Sequence, residues 1–200
     1  MNLSVFLRRA YDNHAGLEQA CLRSGRLDPE PVSPYRAEDR SAVSGTCLPP
    51  DLEREVLNEW DAEVKSLNKD FSVRELDVLA LTHAVTLEIG LDTVLETLAD
   101  PVPGSNPRQE LANLWLSRIS DEVSTAFQEM KNGRPVVVLR SLAALYPVTG
   151  PQMLMQRLWD KEHESLEGPV VLLIPGTLTE PRRYQFLNQV DEYMYRGDIL

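Results

Sequence analysis

Cysteine, histidine and glycine are scarce in this chain of 200 residues, and each scarcity closes off a class of function. The two cysteines, Cys21 and Cys47, do not stand in C-x-x-C spacing. A disulfide framework is therefore excluded, and two free thiols in a reducing compartment are expected rather than a single Cys21–Cys47 bridge. The three histidines, His14, His83 and His163, form no i, i+4 pair, so the usual helical metal-ligand spacing is missing. Glu162-His163-Glu164 brings ligand-type residues together in sequence, but adjacent helical positions point about 100° apart and read as a solvated helix end. No metal and no cofactor is expected.

Only ten glycines are present, and none precedes a lysine. Both G-x-x-x-x-G-K-[ST] and G-x-G-x-x-G are absent, which removes the conventional phosphate-cradling loops. There is no G-x-S-x-G elbow and no Cys-His signature. No catalytic residue is assigned, and the chain is not expected to be an enzyme. No apolar run approaches the roughly 20 residues needed to span a bilayer. The opening Met1-Asn2-Leu3-Ser4-Val5-Phe6-Leu7-Arg8-Arg9 carries its charge after the apolar residues, unlike a secretory signal. A cytoplasmic protein without membrane contact is the expectation.

Acidic charge is what the chain has in excess. The net charge of −11 is concentrated in residues 51–133, where 17 Asp and Glu face seven Lys and Arg. Residues 1–50 balance at six of each, and residues 134–200 carry eight against seven. An acidic surface repels phosphate backbones, so direct nucleic-acid contact is not expected. Either a solvated face or a docking surface for a basic partner accounts for it.

Apolar spacing organises the chain as one α/β domain over 1–200, with a predominantly helical part over 1–133. Val5, Phe6, Ala10, Tyr11, Leu17, Ala20 and Cys21 recur at helical intervals over about 3–24. Five prolines punctuate residues 26–50, which read as an extended connection with a short edge strand near Val32 to Tyr35. Leu52, Val56, Trp60, Val64 and Leu67 predict a helix. Phe71-Ser72-Val73-Arg74 alternates as a candidate strand. Helices are predicted over Leu76–Ile89 and, beyond the break at Gly90, over Leu91, Val94, Leu95 and Leu98. After the loop 101–107, Ser105 or Asn106 caps a longer helix with Pro107 in its first turn. Asn132-Gly133 closes that helix.

Two β-branched runs, Val136-Val137-Val138-Leu139 and Val170-Val171-Leu172-Leu173-Ile174, bracket a helix over about 151–164. Unalternating runs of this kind are strands buried on both faces of a small, mostly parallel sheet. A further helix is predicted over about 181–189. Parallel pairing would set Arg140-Ser141 beside Pro175-Gly176-Thr177 at the carboxyl edge. Arg140, Arg182, Arg183 and Arg196 are candidates to grip a carboxylate or phosphate there bidentately. Structural ion pairs with Glu180, Asp191 or Asp198 are the alternative use of Arg140 and Arg196.

The stretch Val136 to Leu158, the run Gly168-Pro-Val-Val-Leu-Leu-Ile-Pro-Gly-Thr177 and the closing Glu192-Tyr-Met-Tyr-Arg-Gly197 together resemble the BrxB family, the small B component of BREX bacteriophage-resistance systems. The resemblance covers residues 134–200, with Leu145-Tyr146-Pro147 as the turn, Leu154 and Leu158 as paired leucines and Pro175-Gly176 after the second strand. It implies a non-catalytic accessory subunit of anti-phage defence that works by protein–protein interaction beside a PglZ-like phosphatase-fold component. The candidate interaction or anion site is Arg140, Ser141, Tyr146, Gly176, Arg182, Arg183, Tyr195 and Arg196. A degenerate nucleotide- or anion-binding module at the carboxyl edge of the sheet is the alternative.

Overall fold

A computed structural model of the protein describes residues 43–50, 58, 71–130, 133–194 and 198–199. The predicted helices over 3–24 and 52–67, the edge strand near Val32 to Tyr35, and Tyr195 and Arg196 lie outside the described residues, apart from Asn58, which is helical. The architecture is α/β. Strands β1 (Val43–Leu48), β2 (Phe71–Asp77), β3 (Arg134–Arg140), β4 (Val170–Glu180) and β7 (Asp198–Ile199) form a parallel sheet in the order β2-β3-β4-β1-β7. Strands β5 (Arg183–Phe186) and β6 (Val190–Tyr193) continue antiparallel from the distal half of β4. The helices whose bounds lie within the described residues are α1 (Val78–Ile89), α2 (Leu91–Ala99), α3 (Pro107–Glu129) and α4 (Pro151–Ser165), with a 3-10 turn at Leu142–Leu145.

The two β-branched runs pair as expected, Val137 with Val170 and Leu139 with Leu172, and every residue of both is buried. The steps from β2 to β3 and from β3 to β4 run in the same direction across the sheet. Right-handed crossovers therefore place the intervening helices on one face. There α3 packs between α1 and α4 and buries Leu111, Trp115, Ile119, Val123 and Phe127 at four-residue spacing. Asn106 caps α3, its side chain accepting from the Gln109 N–H, with Pro107 in the first turn. Asp77 likewise accepts from the Leu79 N–H and starts α1. Gly90, at φ +97°, ends α1 and begins α2, and the two helix axes differ by 85°.

Four expectations are corrected. The connection over 26–50 contains β1, a strand paired along its whole length with β4 and at Ser44 and Gly45 with β7. Its Val-Ser-Gly-Thr-Cys-Leu sequence lacks the apolar run of a buried strand because its neighbours supply the bulk: a Cβ on Gly45 would sit 2.5 Å from Met194 Cε and 3.1 Å from Ile174 Cδ1. Leu76 belongs to β2, which runs on to Asp77, so α1 starts two residues later than predicted. The second apolar strand does not stop at Ile174 but continues through Pro175 and Gly176 to Glu180. Finally, residues 181–189 form no helix. Tyr184 and Phe186 are buried and alternate with half-exposed Arg183 and Gln185, while left-handed Arg182, Leu187 and Asn188 turn the chain at both ends of β5.

Candidate functional site

The register of the sheet separates the residues expected to converge at its carboxyl edge. Leu139 pairs with Leu172, so Arg140 at the end of β3 is level with Leu173. Gly176 lies three residues further along β4, about 10 Å at the rise of an extended strand. There it pairs with Phe186, and a Cβ on it would overlap the Gln185 carbonyl. Gly176 thus serves close backbone approach within a sheet and offers no anion-binding turn. Arg182 and Arg183 are further still from Arg140, at the turn after Glu180.

Of the candidate arginines, Arg140 and Arg183 have local side-chain partners. Arg140 Nη1 donates to Glu75 Oε2 at 3.2 Å, both half-buried, which ties β3 to the edge strand β2. Arg183 approaches Glu180 at 4.0 Å and Asp191 at 3.9 Å and lies 5.0 Å over the Tyr193 ring. Arg182 is exposed and left-handed, and its carbonyl accepts from the Met194 N–H at 2.8 Å. Ser141 is left-handed at φ 60° and introduces the 3-10 turn, to which Tyr146 is the half-exposed C-terminal residue. Arg140, Ser141 and Tyr146 share one end of β3, and Arg182 and Arg183 share the β4–β5 turn. The two groups form no common site.

A buried polar cluster does exist, and it is structural. The Tyr184 hydroxyl donates to Glu192 Oε2 at 2.5 Å, and the same oxygen accepts the Gln152 N–H at 3.0 Å. The Tyr193 N–H donates back to Gln152 Oε1 at 3.2 Å. Gly150, the N-cap residue of α4, has no side chain with which to satisfy the first-turn N–H groups. Glu192 supplies the missing acceptor from β6, and its carboxylate also suits the positive end of the helix. A Cβ on Gly150 would overlap Glu192 Oε1, so the glycine is what admits the carboxylate. Burial raises the Glu192 carboxyl above its ordinary value, against the lowering effect of the Tyr184 and Gln152 hydrogen bonds. The Tyr184 hydroxyl is pushed up by burial and by the neighbouring Glu192, and the Cys47 thiol is pushed up by burial to about 11. Both groups are protonated at neutral pH, and a protonated thiol is a poor nucleophile.

The feature that packing leaves unexplained is α2. None of its nine residues is buried. Leu91 is 51% exposed, Leu95 56% and Val102 in the following loop 69%. Between α2 and the start of α3 lies a groove of about 210 Å³ lined by Ile89, Val94, Leu98, Leu111 and Leu114, with Thr93 and Thr97 along its α2 wall. Around the α2 axis the order is Thr93 and Thr97, then Val94 and Leu98, then Leu91 and Leu95, then Asp92 and Glu96. Groove floor and leucine ridge are therefore continuous. The helix spacing of Leu91, Val94, Leu95 and Leu98 was legible in sequence; that no other described element covers the stripe was not.

Among the described residues no group of three or more His, Cys, Asp or Glu is placed to hold a metal ion, and no single helix is long and apolar enough to cross a membrane. Comparisons with protein-family models, with curated proteins and with solved structures find no match to the chain.

Proposed function

We propose that this chain is a non-catalytic docking subunit of a BREX-type anti-phage defence system, working in the cytoplasm through protein–protein contact with a PglZ-like component. The observation that carries the docking role is the α2 surface, where a helix with an apolar stripe buries no residue and borders an apolar groove. Contiguous exposed apolar surface of this kind marks interaction sites in stable proteins. Covering the exposed halves of Leu91, Leu95 and Leu98 would contribute roughly 2–4 kcal/mol. The assignment to BREX rests on the resemblance of residues 134–200 alone.

Co-expression with the PglZ-like protein tests the reading. The two are expected to elute together from a gel-filtration column, and Leu91→Asp with Leu95→Asp is expected to release the partner. Elution of the unaltered chain alone, with the partner folded and present, contradicts the proposal.

A further inference from the structure

Resting on that docking role, we infer that the α2–α3 groove receives a basic amphipathic helix of its partner. The groove supplies shape and apolar contact. Ile89, Val94, Leu98, Leu111 and Leu114 form a trough beside the Leu91–Leu95 ridge, which suits an entering apolar stripe at i, i+3, i+4 and i+7.

Charge supplies the sign. From residue 75 to residue 117 the only lysine or arginine is Arg108, against seven Asp and Glu. Arg108 faces elsewhere, its Nε donating to the Val148 carbonyl at 3.4 Å. Glu110 lines the groove on the α3 side. Asp92 and Glu96 stand one step around α2 from Leu91 and Leu95, and Asp100 follows at its C-terminal end. All four carboxylates are exposed, and none forms an ion pair with a described residue. Among the described residues, the surface made by groove and ridge is thus bordered by Glu110 on the α3 side and, beyond the Leu91–Leu95 ridge, by Asp92 and Glu96 on the α2 side. The base nearest along α3, Arg118 one turn past Leu114, is paired with Glu88 and Glu122. A helix with lysine or arginine flanking its apolar stripe finds complementary charge at both rims, whereas an acidic helix meets repulsion at both. The same carboxylates disfavour the surface of an anionic bilayer, even though α1 and α2 taken together are apolar enough to be weighed as a bent membrane segment.

The test uses the full chain and two synthetic peptides of about 18 residues, one with leucines at i, i+3, i+4 and i+7 and lysines elsewhere, the other with glutamates replacing the lysines. Fluorescence anisotropy is expected to show saturable binding of the lysine peptide, weakening as salt rises. The glutamate peptide is expected not to bind. Asp92→Lys with Glu96→Lys should weaken the lysine peptide about tenfold and admit the glutamate peptide. Leu91→Asp with Leu95→Asp should lose the lysine peptide. Equal binding of the two peptides, indifference to the charge reversal, or undiminished binding to the leucine variant overturns the basic-helix inference. If neither peptide binds while the PglZ-like partner still co-elutes in a Leu95-dependent way, the partner chemistry is wrong and the docking role stands. If co-elution also fails, both fall. Concentration-dependent self-association abolished by Leu95→Asp would assign the groove to a second copy, and flotation with phosphatidylcholine vesicles to a lipid surface; either result overturns the inference.

Discussion

Glu192 shows how one side chain joins two distant parts of the chain. It caps α4 across 40 residues of sequence and receives the buried Tyr184 hydroxyl. Removing it by Glu192→Ala strands that hydroxyl and uncaps the helix, a loss of about 2–4 kcal/mol in chemical denaturation. Its pH dependence has a defined sign. Because the folded-state carboxyl is raised above its ordinary 4.5, the native protein holds the proton more tightly than the unfolded chain does. Stability attributable to this group is complete below about 4.5 and is lost as pH rises through the raised folded value. Glu192→Gln keeps an acceptor oxygen for both donors and cannot ionise. Melting curves should therefore show the variant gaining on the unaltered protein as pH rises above about 4.5, and no relative change below it. None of this was legible in sequence, where Glu192 is one of 31 acidic residues and its partners are set by the fold.

At the scale of elements, what could be read was what depends on local composition. The runs at Val136–Leu139 and Val170–Ile174 declare strands because a residue buried on both sheet faces must be apolar without alternation. The Asn106-Pro107 start of α3 and the Gly90 break are equally local. The two misread elements depend on their neighbours. In β1 the small residues Ser44, Gly45 and Thr46 are buried, Gly45 against Met194 and Ile174, so the strand carries little hydrophobic signal of its own. In the β5–β6 hairpin the alternation spans only four residues, and its turns use left-handed Arg182 and Leu187 where a sequence reader looks for glycine. Two substitutions separate structural from docking roles. Gly176→Ala forces a methyl group into the Gln185 carbonyl and should cost about 1–3 kcal/mol, read as a lowered denaturation midpoint. Leu91→Asp with Leu95→Asp should shift stability by no more than about 0.5 kcal/mol per site, because both leucines are exposed at the surface. A large loss there would mean that α2 belongs to the core.

For the whole molecule, the division of labour runs across the sheet. The helical layer made by α1, α3 and α4 covers one face, and the β4–β5–β6 extension reaches back through Glu192 to fasten α4. Two of the four arginines expected to form a single anion site are spent instead on joining strands, Arg140 to Glu75 and Arg183 to its hairpin neighbours. What no other described element covers is the acidic, apolar shoulder formed by α2 and the start of α3. Its acidity was visible in the charge distribution of residues 51–133, and its leucines in their spacing. Their juxtaposition on a surface that no other described element covers required the 85° turn at Gly90, which swings α2 out of line with α1.

Hydrogen–deuterium exchange on the chain, free and in complex with the PglZ-like protein, tests that assignment most directly. Protection on complex formation is expected in peptides covering residues 87–98 and 107–114, with the hairpin over 176–194 unchanged. Protection confined to the hairpin or to the carboxyl end of β3, with α2 exchanging as fast as in the free chain, would contradict the account.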